Sequence, residues 1–285
     1  MNTTLQWDTL FAKRPGLNRD LPAGHENLMW VSNTATLIYG DQDAVLVDTF
    51  LTVEHNQMLV NWIAAHNRNL KAVYITHGHG DHFFGLDIIR ERYPDVQFLA
   101  TPKVVSAIAH HIAAAHTSQF WQKLYPGQIS ENLLTPEPMS EPVLYLEGNA
   151  LRAIDAGPTD TADTTCLWVP SIGLLVGGDV IYNGVHPYLA ETTKQTRNEW
   201  RHTLQQLASL QPAVVIAGHK NPTLPDDPRC VNQTLEYLET IETLSRETAS
   251  AEALFDQMML RYPDYVNPGS LWRAVHTIKS ETADQ

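Results

Sequence analysis

The chain has little cysteine, little basic charge and no long apolar run. Two cysteines in 285 residues are too few for a disulfide framework. Cys166 falls inside an apolar run and reads as a buried thiol. Lys and Arg total 19 against 32 Asp and Glu, a formal net charge of −13. That balance argues against nucleic acid as a partner, because phosphate contacts need a basic surface. No apolar stretch nears the ~20 residues that cross a bilayer. The N-terminal segment Met1-Asn2-Thr3-Thr4-Leu5-Gln6-Trp7-Asp8 lacks the basic start and apolar core of a secretory signal. No internal repeat and no low-complexity segment is present. These absences lead to the expectation of a cytoplasmic protein that binds neither membrane nor nucleic acid and acts on a small molecule. The 43% of hydrophobic residues supports a sizeable core, and the length suits a single domain over 1–285.

What the chain does have is concentrated in one stretch, Thr76-His77-Gly78-His79-Gly80-Asp81-His82. Four metal-ligand side chains fall within six residues. The apolar run Ala72-Val73-Tyr74-Ile75 before it reads as a buried strand, and Phe83-Phe84-Gly85-Leu86-Asp87-Ile88-Ile89 after it has helical spacing. The motif therefore sits on a loop between a strand and a helix. In an extended loop, residues two apart point the same way. His77 and His79 can share one ion, leaving Asp81 and His82 to turn toward another.

The rest of the chain is read coarsely. Residues 1–25 hold Pro15, Gly16, Pro22 and Gly24 and are expected to be an irregular lead-in. Strands are expected at 28–31, 36–39 and 44–47, with a hairpin at Gly40-Asp41-Gln42-Asp43. Further strands fit 71–76, 96–100, 143–146, 151–154, 166–169, 173–176 and 213–217. Helices fit 53–70, 102–125, 198–210, 230–246, 251–261 and 270–279. His110, His111 and His116 lack the i,i+4 spacing of a helical metal pair and are expected at a surface or pocket wall.

The pattern His77-x-His79-x-Asp81-His82 resembles the signature of the metallo-β-lactamase superfamily. The resemblance covers about 25–225 and leaves a C-terminal helical extension, 226–285, that would cap the pocket or make a homodimer contact. It implies an α/β fold, the αββα metallo-β-lactamase sandwich, here with additional C-terminal helices. It also implies a site for two divalent ions, with zinc first and manganese or iron as alternatives. His77 and His79 would belong to the first ion, Asp81, His82 and His219 to the second, and Asp179 would bridge them. Asp48 would hydrogen-bond a ligand histidine. The family's third histidine of the first site falls at Asp160, within Gly157-Pro158-Thr159-Asp160-Thr161-Ala162-Asp163, and that departure changes the charge of the site. The four positive charges of two dications balance three carboxylates and a hydroxide, whereas a histidine at 160 would leave one net positive charge. A carboxylate also favours a harder metal.

Asp179, rather than cysteine, resembles the glyoxalase II and lactonase branches. Tyr182 matches the tyrosine that lactonases hold near the substrate carbonyl, an oxyanion donor. Asp81 and Tyr182 are the candidate catalytic residues. Phe83, Tyr182, His186 and Tyr188 are the candidate substrate-binding residues. The function implied is a metal-dependent hydrolase that uses a metal-bridging hydroxide on a carboxyl ester, lactone or thioester. Two alternatives remain open. One is a mononuclear Fe(II) oxygenase-type enzyme on His77, His79 and Asp160; the other is a non-catalytic ligand-binding member of the fold.

Overall fold

The structure is a computed structural model that describes residues 3–18 and 21–283. The first half of the chain forms β1 (Gln6–Pro15), β2 (Trp30–Tyr39), β3 (Asp43–Val47), α1 (Val53–Ala65), β4 (Asn69–Tyr74), α2 (Gly80–Phe83), α3 (Leu86–Arg92), β5 (Gln97–Ala100), α4 (Pro102–Ser118), α5 (Phe120–Leu124) and β6 (Glu137–Pro138). The second half forms β7 (Val143–Leu146), β8 (Asn149–Gly157), β9 (Thr164–Val169), β10 (Leu174–Asn183), α6 (Lys194–Ser209), β11 (Val214–Lys220), α7 (Arg229–Glu247), α8 (Ala251–Arg261) and α9 (Pro268–Ala283).

The strands hydrogen-bond in the order β6-β5-β4-β3-β2-β11-β10-β9-β8-β7, with β1 added along β2. Between β2 and β11 the register holds one pair, His219 opposite Asn33, so the sheet folds there into two halves. Period-two alternation separates the faces of each half. On β3, Val45 and Val47 point into an apolar layer shared with Leu174, Val176 and Ile216 from the other half. Ala44 and Leu46 point the opposite way, toward Leu59 and Ile63 of α1. On the second half, Leu175, Val215 and Ala217 face Trp200, Leu204 and the C-terminal helices. Three apolar layers between helix, sheet, sheet and helix make the αββα sandwich.

Local chemistry starts and joins the helices. Thr52 caps α1 by accepting from the His55 N–H, and Thr193 forms a capping box with Thr196 on α6. The buried Arg197 on α6 donates to Glu242 at 2.6 Å and Glu281 at 3.0 Å, which ties α7 and α9 to α6.

Two expectations are corrected. Residues 6–15 are not an irregular lead-in: β1 pairs with β2 residue for residue, from Gln6 opposite Tyr39 to Pro15 opposite Trp30. Pairing supplies the order that composition did not announce. The separate strands expected at 28–31 and 36–39 are one strand. Between them Ser32, Asn33 and Thr34 are polar yet buried, because they serve the site described next.

Candidate metal centre

The strands deliver seven candidate ligands to one end of the sandwich. The chain leaves β4 at Tyr74, and two residues on the Thr76 carbonyl accepts from the Thr165 N–H at 3.0 Å. The motif is not an extended loop throughout. α2 begins at Gly80, so Asp81 and His82 sit on a helical turn while His77 and His79 precede it. This change of conformation, more than alternation, turns the two pairs toward different places. Asp160 lies in the tight turn between β8 and β9, His219 on β11, and Asp179 inside β10. Around Asp179 the β10–β11 register shifts twice, and Gly178 has φ +51° with Thr76 Oγ1 only 2.7 Å from where a Cβ would stand. A bulge of this kind re-aims a side chain; here it is Asp179.

Two groups result: His77, His79, Asp160 and Asp179, and Asp81, His82 and His219. Within each, potential ligand atoms lie within 4.8 Å of one another. Asp179 reaches both. Its Oδ2 is 3.9 Å from His77 Nε2 and 3.0 Å from His219 Nε2, and its Oδ1 is 3.3 Å from His82 Nε2. Asp160 Oδ2 lies 2.9 Å from His79 Nδ1 and 3.8 Å from His77 Nε2. The ligand histidines are oriented from behind. Asp48, at φ 62°, accepts from Thr76 N–H and Oγ1 and lies 2.9 Å from His82 Nδ1. His219 Nδ1 is 2.9 Å from the Ser32 carbonyl. These contacts leave each Nε2 for the centre.

Four atoms at that centre, His77 Nε2, His82 Nε2, Asp160 Oδ2 and Asp179 Oδ1, are buried and have no hydrogen-bond partner outside the candidate ligands, Asp160 Oδ2 standing beside His79 and Asp179 Oδ1 beside His82. A buried polar atom without a partner costs on the order of 1–3 kcal/mol. Four of them converging from three segments fit divalent metal, with nitrogen and carboxylate donors suited to zinc and, through Asp160, to manganese or iron.

The electrostatics agree. Burial pushes His77 down to about 3. Against the cost of burial, Asp160 and Glu191 hold His79 well above its usual range, and Asp179 and Asp48 do the same for His82. Asp81 and Asp179 are held well below the carboxylate range despite burial, Asp81 by Arg14, His82 and His219 and Asp179 by His219 and His82. Burial, Asp179 and Asp160 keep the Tyr182 hydroxyl protonated.

A cavity of about 480 Å³ opens on this cluster, bordered by His79, Asp81, Asp179 and His219 and by Tyr182, His186 and Tyr188. Tyr182 is on β10, and its hydroxyl donates to Asp179 Oδ2 at 3.2 Å. Phe83 does not border the cavity. It ends the short α2, is fully buried, and packs its ring on Phe84 and His111. Trp121, Phe120 and Leu17 take the wall intended for it. His111 lines the cavity, as expected of a pocket-wall histidine; the side chain of His116 lies outside the described residues. α9 supplies Ser270 and Arg273 to the wall, so the C-terminal extension closes the pocket.

Three site residues escaped the sequence reading. Arg14, on β1, is buried and donates to Asp81 Oδ2 at 2.6 Å. Asn33 donates to the same oxygen at 2.8 Å. Glu191 sits 3.4 Å from His79 Nε2 and accepts from Thr161 at 2.9 Å. The one signal for Asn33 was a polar triplet interrupting two strand-like runs; Arg14 carried none.

Comparison with known proteins agrees with this geometry. The profile of the metallo-beta-lactamase superfamily matches residues 28–219, from the start of β2 to the last candidate ligand. The chain belongs to the metallo-β-lactamase superfamily. No curated protein matches it at a significant level. Among solved structures, the metallo-beta-lactamase from Pontibacter korlensis is similar at 17% identity and a TM-score of 0.59, over 83% of this chain and 99% of that one. The metallo-beta-lactamase FIM-1 from Pseudomonas aeruginosa, in its mono-zinc form, is similar at 15% identity and a TM-score of 0.60, over 84% and 96%. VMB-1 is similar at 17% identity and a TM-score of 0.57, over 84% and 97%. At these identities the likeness carries the metallo-β-lactamase fold and nothing further. Among the described residues no helix is long and apolar enough to cross a membrane.

Proposed function

We propose that the chain is a binuclear metal-dependent hydrolase of a carboxyl ester, lactone or thioester. The observation that carries this reading is the set of four buried ligand atoms, without partners outside the site, that meet around Asp179. His77, His79 and Asp160 would hold one ion, Asp81, His82 and His219 the other, and Asp179 both. Two adjacent dications supply a hydroxide at neutral pH and polarise a carbonyl.

The chain's own residues do the rest. Tyr182, held protonated, would turn its one O–H from Asp179 to the charge developing on the carbonyl oxygen. Asp81 is fixed as an ionised carboxylate by Arg14 and Asn33, so its part in catalysis is to hold charge in place rather than to carry a proton. Arg14 also revises the charge count. Asp160 removes one positive charge relative to a histidine, and the buried guanidinium puts one back beside the other half of the site. Glu191 and Tyr188 brace His79 at the cavity wall. The substrate is a small molecule.

The test is metal content of the purified chain together with hydrolysis of a panel of chromogenic esters, thioesters and lactones, with zinc, manganese or iron restored. Two ions per chain and turnover of one carbonyl class are expected. A protein that holds no metal, or holds two ions and hydrolyses none of the panel, would refute the reading. One observation favours a second reading: His77, His79 and Asp160 form a complete two-histidine, one-carboxylate set, the donor pattern of mononuclear iron oxygenases. One iron per chain with substrate-dependent oxygen uptake would select it.

A further inference from the structure

His186 borders the cavity yet contributes to neither group of candidate ligands. Its side chain is fully buried, and burial pushes its imidazole down to about 3, so the ring is neutral. A neutral imidazole has one N–H and one bare nitrogen, and its neighbours decide which is which. Nδ1 is 2.9 Å from the hydroxyl of Tyr237. Tyr237 is itself buried, does not border the cavity, and stays protonated through burial beside Tyr262 and Tyr265. Among the described residues the Tyr237 O–H has no other acceptor. Were Nδ1 to donate, that O–H would be left buried without an acceptor. The satisfied arrangement has Tyr237 donating to Nδ1, which places the ring's proton on Nε2. Nε2 is buried and has no hydrogen-bond partner. Because Nδ1 faces Tyr237, away from the cavity, the opposite edge of the ring is the one left for the cavity wall. The backbone holds it there: His186 N–H donates to the Val266 carbonyl at 3.0 Å, just ahead of α9.

We propose that His186 Nε2–H is a specificity-determining donor, and that the substrate carries a neutral carbonyl-type acceptor apart from the bond that is cleaved. This rests on the hydrolase reading for the cleaved bond but not for the donor itself. A neutral N–H fits an uncharged oxygen, and Leu17 and Val31 line the same cavity with apolar surface. An acceptor that fills a vacant buried donor gains more than one exchanged against water, so about a tenfold preference follows.

The experiment has two arms on the zinc-loaded protein. In the first, long-range proton–nitrogen NMR of histidine-labelled protein reads the tautomer. A protonated Nε2 on His186 is expected, with its signal shifting on addition of 4-oxopentanamide but not of pentanamide. A bare Nε2, or equal response to both amides, would overturn the proposal whether or not the protein hydrolyses anything. In the second, kcat/KM is compared for the 4-nitrophenyl esters of 4-oxopentanoate and pentanoate, which differ by one ketone. The ratio should be about ten in the wild type, fall to about one in His186→Phe, and lie between in His186→Gln, which keeps an N–H, and in Tyr237→Phe, which releases the tautomer. An equal ratio in wild type and His186→Phe would defeat the proposal. Hydrolysis of neither ester would count against the hydrolase reading alone, and the NMR arm then decides for His186.

Discussion

The two ends of β3 treat polar groups in opposite ways, one buried and the other largely exposed. Just past its C-terminal end Asp48 leads into the candidate metal centre, where four candidate ligand atoms are buried without a hydrogen-bond partner outside the site. At its N-terminal end Glu147, from the β7–β8 turn of the other half-sheet, accepts from the backbone N–H groups of Asp41, Gln42 and Asp43 at 3.0, 2.8 and 2.9 Å. One carboxylate there satisfies three donors and closes the sandwich. The closed end has nothing left to bind. The open end keeps buried ligand atoms for something else to complete, and that difference separates a structural carboxylate from a candidate functional one.

The largest expected effect comes from breaking the open end at its centre. Asp179→Ala should lose both ions, as read by metal analysis, and with them all measurable hydrolysis. Retained metal with full turnover would show that Asp179 joins nothing. Asp160 comes next. Asp160→Ala should lose the first ion before the second in a chelator titration. Asp160→His should keep both, shift preference from manganese toward zinc, and move the rising limb of the pH–rate profile to lower pH, since added positive charge favours hydroxide. Identical metal preference and pH profile in wild type and Asp160→His would remove Asp160 from the site.

Arg14 sharpens the comparison, because it is a buried charge that supports the open end from the cavity wall. Arg14→Met should lower kcat/KM by roughly 10–100-fold, the usual weight of a group that orients a ligand, and move the same limb to higher pH. Combined with Asp160→His, the limb should return toward the wild-type position. Additive shifts in the same direction would refute charge compensation between the two positions.

The smallest effect belongs to the closed end. Glu147 is held at about 2, chiefly by the N–H groups of Asp43 and Gln42. Its folded pKa is below its ordinary value of 4.5, so its contribution is fully present above that value and lost as pH falls through about 2. Glu147→Gln should lower the melting temperature slightly at neutral pH, with the gap to wild type narrowing between pH ~5 and ~2. Metal content should not change. A gap that is constant with pH would mean the ionised carboxylate is not what holds the turn.

The sequence by itself determined the parts whose chemistry is local. His77, His79, Asp81 and His82 fall within six residues and announce a metal loop without any fold. Alternation and helical spacing found most strands and the C-terminal helices, with 251–261 recovered as α8 to the residue, because a buried face writes its period into the chain. The distant ligands Asp160, Asp179 and His219 were legible through family resemblance, and the structure then gathered them with the loop. Only tertiary structure decided the rest. β1 is a strand because β2 offers it an edge. Phe83 faces the core because the motif turns helical at Gly80. Arg14 lies 67 residues from the aspartate it binds, in a segment whose composition suggests a loop. Pairing, rotation about a short helical turn and contacts between remote segments depend on where the whole chain goes, and no local pattern records them.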